Sequence, residues 1–299
     1  MRIGIPTETR AGETRVAATP ETVKKMLAAG HAVMVQRGAG AGASIPDADY
    51  QAAGATLVSV AEVYAQAEIM LRVKAPTEDE LVKLAAQTVL IGLLSPFQAD
   101  LVAAYAKQGI TAFAMEKLPR TSRAQAMDVL SSQANIAGYK AVLVAANLYK
   151  RFMPMLMTAA GTVKAARVVI LGVGVAGLQA IATAKRMGAV IEASDVRPAV
   201  KEQVESLGAK FIDVPYETDE EREIAQGVGG YARSMPASWM ERQKVEVAKR
   251  VAQADIVITT ALIPGKAAPV LVTEDMVKSM KPGSVIVDMA VEAGGNCPL

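Results

Sequence analysis

The sequence predicts an α/β protein made of two doubly wound parallel-sheet domains. Three observations lead there. Short apolar segments alternate with helix-periodic ones through both halves of the 299 residues, the pattern of parallel strands joined by crossover helices. Apolar residues make up 52% of the chain and charged residues 21%, enough to bury two ordinary cores and too apolar for general disorder. A glycine-rich hexapeptide, residues 172–177, sits between a strand pattern and a helix pattern in the second half.

In the first half, strands are expected at residues 2–5, 32–36, 69–73, 88–93 and 111–115, and helices at 21–29, 78–86 and 98–108. Pro20 suits a first helical turn and Gly30 a helix stop. Several strands run into loop chemistry at their carboxyl ends: Lys74-Ala75-Pro76, Ser95-Pro96 and Glu116-Lys117-Leu118-Pro119. A long helix over residues 124–150 follows. Its small-residue run (Ala134, Ala137, Gly138, Ala141, Ala145, Ala146) admits the close approach of another backbone, and makes the helix a plausible surface for self-association. The domains are placed at 1–138 and 139–299. In the second half, strands are expected at 167–171, 190–194, 210–212, 255–259 and 284–288, and helices at 175–187, 198–206, 238–252 and 273–279. Right-handed crossovers make this half doubly wound as well. A six-stranded nucleotide-binding sheet would continue beyond the fifth strand, so the second domain is expected to lack its C-terminal end.

Charge and composition exclude several classes. Lys plus Arg is 32 against 30 Asp plus Glu, a formal charge of +2, which removes the broad electrostatic reason to expect nucleic acid. One cysteine, Cys297, and one histidine, His31, allow no internal disulfide and no Cys/His zinc cluster, so no metal is expected. The start, Met1-Arg2-Ile3-Gly4-Ile5-Pro6, lacks the apolar core of a signal peptide. The expectation is a reduced, intracellular, soluble chain. Residues 168–184 carry no charge and approach the length of a membrane span. Their glycines instead fit a strand buried on both faces that turns into a helix, so no membrane insertion is expected.

Gly172-Val173-Gly174-Val175-Ala176-Gly177 follows the strand Arg167-Val168-Val169-Ile170-Leu171 and opens a helix, with Asp195 eighteen residues beyond Gly177. In that context the spacing is the dinucleotide fingerprint of a Rossmann domain. Gly172, Gly174 and Gly177, with Val175, allow a tight turn and close backbone approach to a pyrophosphate at the helix N-terminus. Asp195 ends the next strand, in Ala193-Ser194-Asp195-Val196-Arg197-Pro198. A carboxylate there accepts hydrogen bonds from ribose hydroxyls and repels a 2′-phosphate, so NAD is favoured over NADP. Arg197 leaves two readings open: phosphate specificity on the adenine side, or a solvated or pyrophosphate-side residue.

These residues and others make the chain similar to the alanine dehydrogenase/transhydrogenase family. Within it, the likeness is to the NAD(H)-binding subunit (domain I) of proton-translocating NAD(P) transhydrogenase. The resemblance spans essentially the whole chain. It includes Arg2-Ile3-Gly4-Ile5-Pro6, Thr14-Arg15-Val16-Ala17-Ala18-Thr19-Pro20, Thr259-Thr260-Ala261-Leu262-Ile263-Pro264-Gly265-Lys266 and Val285-Ile286-Val287-Asp288. Its most specific piece is Pro119-Arg120-Thr121-Ser122-Arg123-Ala124-Gln125-Ala126-Met127-Asp128-Val129-Leu130-Ser131-Ser132. The resemblance implies that this piece folds over the nicotinamide half of the nucleotide. Arg120, Gln125, Asp128 and Ser131 would position it, with Thr121 and Ser122 beside them. Asp195, Val196 and Arg197 would take the adenosine side. Gly227-Val228-Gly229-Gly230-Tyr231-Ala232-Arg233-Ser234-Met235-Pro236 follows an acidic run, residues 217–223, and its glycines describe a long excursion between strand and helix. In the resembled family that excursion is a mobile loop closing at the nucleotide, which assigns Gly227 and Tyr231 to the site and matches Met235 to a family methionine.

Alanine dehydrogenases move protons as well as hydride, using a histidine and a lysine. Here the position resembling that histidine falls in Leu90-Ile91-Gly92-Leu93-Leu94-Ser95, where no side chain titrates near neutrality. His31 lies in a helix-to-strand turn, on the side of the sheet away from ligand-binding loops. Lys74 and Arg15 match the dehydrogenase's substrate lysine and arginine, and are read as shared ancestry or packing. Hydride transfer between two nicotinamides needs alignment in a dry site and no acid or base. The resemblance therefore implies a subunit of the Si-specific/Re-specific, proton-translocating transhydrogenase, binding NAD(H) and active only with partners. NADP(H) would sit on a partner subunit, proton translocation in a separate membrane-spanning one, and the chain would form a homodimer at the cytoplasmic face of the inner membrane. An alanine dehydrogenase-like amino-acid dehydrogenase and a non-catalytic NAD sensor are the alternatives.

Overall fold

The computed structural model describes residues 1–119, 121–197, 200–226, 235–263 and 265–299. Contacts divide the chain into two compact units, Met1–Leu130 and Ser131–Leu299.

The first unit is a six-stranded parallel sheet with helices in its crossovers. In chain order its elements are β1 (Arg2–Ile5), α1 (Pro20–Ala28), β2 (Ala32–Gln36), α2 (Asp47–Ala52), β3 (Thr56–Val58), α3 (Val60–Gln66), β4 (Ile69–Lys74), α4 (Glu78–Leu81), β5 (Val89–Leu93), α5 (Ala99–Lys107) and β6 (Thr111–Ala114). The strand order is β3-β2-β1-β4-β5-β6, which reverses direction between β1 and β4. Local chemistry starts the helices: Thr19 caps α1 through Thr22 ahead of Pro20, and Ser59 and Glu62 form a capping box on α3. One core gathers Ile5, Val23, Val35 and Tyr50, another Val63, Met70, Leu84 and Leu90. Each such burial stabilises by about 1.5–3 kcal/mol. Beside the second core lies a buried ionic network. Arg72 is fully buried, pairs with Glu80 at 2.9 Å and Glu8 at 3.5 Å, and donates to the Tyr64 hydroxyl at 2.8 Å. Glu8 also accepts from the Val73 and Lys74 N–H groups where the β4–β5 register shifts.

In the second unit, following α6 (Val129–Leu148), an antiparallel hairpin of β7 (Leu156–Thr158) and β8 (Gly161–Val163) leads into a five-stranded parallel sheet. Its elements are β9 (Arg167–Leu171), α7 (Val175–Arg186), β10 (Val190–Ser194), α8 (Lys201–Ser206), β11 (Lys210–Phe211), α9 (Asp219–Gln226), α10 (Ala237–Val251), β12 (Ile256–Thr259), α11 (Glu274–Ser279) and β13 (Val285–Asp288). The order β11-β10-β9-β12-β13 puts the switch point between β9 and β12. Val168 and Ile170 enter one core while Val169 and Leu171 enter the other, which is why this stretch reads as unbroken apolar sequence. Among the described residues no helix is long and apolar enough to cross a membrane.

Several local expectations change. Residues 47–66 hold α2, β3 and α3, which the sequence does not announce, because pieces of three to seven residues are too short to show a period. The helix expected at 78–86 stops at Leu81. The helix expected from 124 is a 3₁₀ segment over Ser122–Met127, and α6 begins only after Asp128, whose ψ of 80° breaks the run. The small residues of α6 face inward. Gly138, Ala141 and Ala145 are buried, and a Cβ on Gly138 would strike the Ala176 carbonyl in the first turn of α7. The exposed face of α6 is the opposite one. Where an acidic run and an excursion are expected, α9 forms, and residues 227–234 lie outside the described residues.

Candidate functional site

The fingerprint glycines lie at the carboxyl end of β9, at the sheet's switch point, where open α/β sheets bind ligands. Each glycine has its own physical reason. Gly172 has φ +94°, a left-handed conformation that lets the chain turn sharply out of the strand. A Cβ there would also lie 2.8 Å from Thr260 Oγ1 and 2.9 Å from the Ala261 nitrogen. A Cβ on Gly177 would strike the Gly172 carbonyl, so this glycine lets α7 pack against the turn. Gly174, the N-cap of the twelve-residue α7, is different: a Cβ there would meet nothing within 4 Å. The space beside it is open, and the first-turn N–H groups of a helix have no intrahelical acceptors. Open space and unpaired donors at a helix N-terminus fit a phosphate, and the residues present therefore fit a dinucleotide's pyrophosphate.

Asp195 follows β10 and ties this turn together. Its carboxylate accepts from the Val173 N–H at 2.7 Å, and from the Arg197 main-chain N, Nε and Nη2 at 2.9 Å each. Arg197 Nη2 also donates to the Val173 carbonyl at 3.1 Å. The Asp195 side chain is 6% exposed and that of Arg197 35%, so the guanidinium is the more open of the two groups. Bonding to Asp195 pushes the Arg197 pKa further up. Four protein donors occupy the acceptor capacity of this carboxylate. A ribose diol bonding to Asp195 would therefore take the place of Arg197 donors, a coupling that the sequence does not reveal. Val196 packs at the margin of a small cluster of Val214, Met235 and Trp239. Met235, matched by sequence to a loop methionine, is buried there. Gly227 and Tyr231 lie outside the described residues.

The neighbouring loop, after β12, belongs to the 259–266 motif, and the structure gives its residues roles. Thr260 Oγ1 donates to the Gly172 carbonyl at 2.8 Å, and the Thr260 N–H to the Leu171 carbonyl at 2.8 Å. Asp288, at the end of β13, accepts from Thr259 Oγ1, the Ala290 N–H and the Asn296 and Cys297 N–H groups. Asn296 escapes sequence reasoning. The Gly294-Gly295 pair before it, at φ +98° and +84°, is the available signal of a tight return.

The remaining predicted residues belong to the first unit or the start of α6. Thr121, Ser122 and Gln125 are exposed at and along the 3₁₀ segment, with the Thr121 carbonyl accepting from the Ala124 N–H and the Gln125 carbonyl from the Asp128 N–H. Ser131 lies in the first turn of α6, and Arg120 lies outside the described residues. Arg15 is held by Glu13, which accepts from Arg15 Nε at 2.7 Å and Nη2 at 2.6 Å. Those bonds, with Lys74 nearby, bring the Glu13 pKa down to about 2. At the position resembling the dehydrogenase histidine, Ser95 and Leu94 donate their N–H groups to Glu116. His31 precedes β2 at the amino end of the sheet, its Nδ1 buried without a partner.

Comparison with known proteins brings two family models onto the chain: alanine dehydrogenase/PNT, N-terminal domain, over residues 4–137, and alanine dehydrogenase/PNT, C-terminal domain, over residues 141–299. The first component of the NAD(P) transhydrogenase alpha subunit of Rhodospirillum rubrum is 55% identical over 306 residues, covering 100% of this chain and 79% of that protein. Alanine dehydrogenase of Mycobacterium tuberculosis is 34% identical over 300 residues, covering 99% of this chain and 74% of that protein. The crystal structure of transhydrogenase from Sinorhizobium meliloti superposes with a TM-score of 0.89 at 49% identity, covering 99% of this chain and 80% of that one.

Proposed function

The chain belongs to the alanine dehydrogenase/PNT family, and from that premise we propose that it is the NAD(H)-binding subunit of a proton-translocating NAD(P) transhydrogenase. It passes hydride between NAD(H) in its second unit and NADP(H) held on a partner subunit. A separate membrane-spanning partner couples the transfer to proton movement, which places the chain at the cytoplasmic face of the inner membrane. The observation that carries the reading is the open cradle at Gly174, flanked by glycines packed to the limit of their space. Gly172, Gly174, Val175 and Gly177 hold the pyrophosphate, and Asp195, Val196 and Arg197 the adenosine side. On the nicotinamide side, Thr121, Ser122, Gln125, Asp128 and Ser131 orient the carboxamide and its ribose. NAD(H) supplies the hydride, and the protein contributes alignment and exclusion of water.

The choice of transhydrogenase over amino-acid dehydrogenase rests on identity, 55% against 34%, and on the residues of the dehydrogenase-like site. Glu13 occupies the Arg15 guanidinium, and the stretch resembling the dehydrogenase histidine holds backbone donors on Glu116. Homodimer formation is supported by the outward face of α6, where Ile136 (59%), Tyr139 (48%) and Val144 (38%) stand exposed on a chain region with few charges. Mixing the chain with a transhydrogenase NADP(H)-binding subunit tests the function. Oxidation of NADH by NADP⁺ should need both proteins. Rapid oxidation of NADH with pyruvate and ammonia by this chain alone would overturn the reading.

A further inference from the structure

Asn296 is fully buried and lies outside the cradle, yet its side-chain amide holds the loop beside the cradle. Its Oδ1 accepts from the Ala261 N–H at 3.1 Å, and its Nδ2 donates to the Ala261 carbonyl at 2.9 Å and the Pro269 carbonyl at 2.8 Å. Two carbonyls on one side and an N–H on the other fix the orientation of the amide. The side chain thus bonds both main-chain groups of Ala261, as a neighbouring strand would, two residues past the end of β12. Its own carbonyl accepts from Leu271 and Val272, and its N–H is held by Asp288 at 2.7 Å. The clamp is anchored to β13, a strand that pairs with β12 and not with β9.

On its other side, the clamped segment presses on the cradle. Thr260 Oγ1 donates to the Gly172 carbonyl, and the Ala261 nitrogen lies 2.9 Å from where a Gly172 Cβ would be. Nothing in that contact is soft: one side is a glycine at φ +94°, the other a segment tied to the sheet through Thr260 and to Asn296 through Ala261. We propose that Asn296 is a positioning residue for the bound nucleotide. Acting through Ala261 and Thr260, it sets the position of the Gly172 turn and so the aim of the α7 N-terminus. It touches no part of the nucleotide. The inference rests on the reading that a dinucleotide's pyrophosphate occupies that turn.

The test measures NADH, ADP-ribose and adenosine binding by the full chain, well below its melting temperature, in wild type, Asn296→Ala and Val251→Ala. Val251 is fully buried in the core on α10, its side chain takes no part in the turn's hydrogen bonds, and it serves as a comparator with lowered stability alone. The expected result is a Kd for NADH and ADP-ribose raised about tenfold or more in Asn296→Ala. Adenosine, which has no pyrophosphate, changes less than about twofold, the scatter of a group outside the positioned contact. Val251→Ala loses melting temperature and keeps all three affinities. Should Asn296→Ala fail to fold, Thr260→Val cuts the same link at the Gly172 carbonyl and should raise the same two Kd values. Unchanged NADH affinity in the folded variant, or an equal loss in Val251→Ala, overturns the proposal. Absence of saturable NADH binding by the wild type would instead overturn the nucleotide reading beneath it.

Discussion

A methyl group added at Gly174 would meet no protein atom within 4 Å, whereas one at Gly177 would strike the Gly172 carbonyl. The two glycines therefore separate folding from binding. Gly174→Ala should fold with stability within about 0.5 kcal/mol of wild type and lose about tenfold or more in NADH affinity, because its methyl fills the space a phosphate needs. Gly177→Ala should lose affinity and also about 1–3 kcal/mol of stability from overpacking. Urea melts and NADH fluorescence titrations on the same preparations check both; equal stability losses in the two variants would defeat the distinction. Glu13 gives a second test at this scale. Bonding to the Arg15 side chain, the Arg15 N–H and nearby positive charge bring its pKa from 4.5 down to about 2. A carboxylate with a depressed folded pKa adds stability that is present above its ordinary value and disappears as pH falls through the folded value. The window here runs from about 4.5 down to about 2. With Arg15 39% exposed, the contribution is discounted for solvent screening to about 1–2 kcal/mol. Glu13→Gln should be less stable near neutrality and converge with wild type by the bottom of that window, as read from urea midpoints across pH.

At the scale of elements, α6 presents two faces with different duties. The inner one is set by Gly138, which brings the helix against the Ala176 carbonyl at the start of α7, so the small-residue run serves packing within its own unit. The outer one carries Ile136, Tyr139 and Val144 in the open. Replacing Ile136 and Tyr139 together by lysine should dissociate a dimer with little cost to protomer folding, since both side chains are already exposed. Sedimentation velocity would show it, and an unchanged dimer would place the interface elsewhere. The same contrast marks what is legible in the sequence. Strands β1, β2, β9 and β10 are readable at their true bounds, because strands buried on both faces are continuous apolar runs ending in turn residues. The pieces α2, β3 and α3 fall below the length at which a period is visible. Within the site, Gly172, Gly174, Gly177 and Asp195 are legible because their chemistry depends on local spacing. Asn296 is hidden because it acts 35 residues away from Ala261, across a sheet edge that no local pattern encodes. The Arg197 bonds to Asp195 are hidden too, since spacing alone cannot say which partner a carboxylate takes.

At the scale of the molecule, two sheets of the same winding carry different chemistry at their switch points. The first places a buried Arg72 network and the Glu8 clamp between β1 and β4; the second leaves open space beside Gly174, in the turn that follows β9. Family membership joins them in one chain, and the proposed reaction asks nothing of the protein but to hold a reduced ring in line with an acceptor ring. Direct transfer leaves an isotopic signature that acid–base chemistry through solvent does not. The decisive measurement supplies NADH deuterated at the transferred C4 position to this chain, in the presence of a transhydrogenase NADP(H)-binding subunit loaded with NADP⁺. The deuterium should appear in NADPH without dilution by solvent hydrogen. NADPH carrying solvent hydrogen at C4, or no NADPH although NADH binds, would contradict direct hydride transfer.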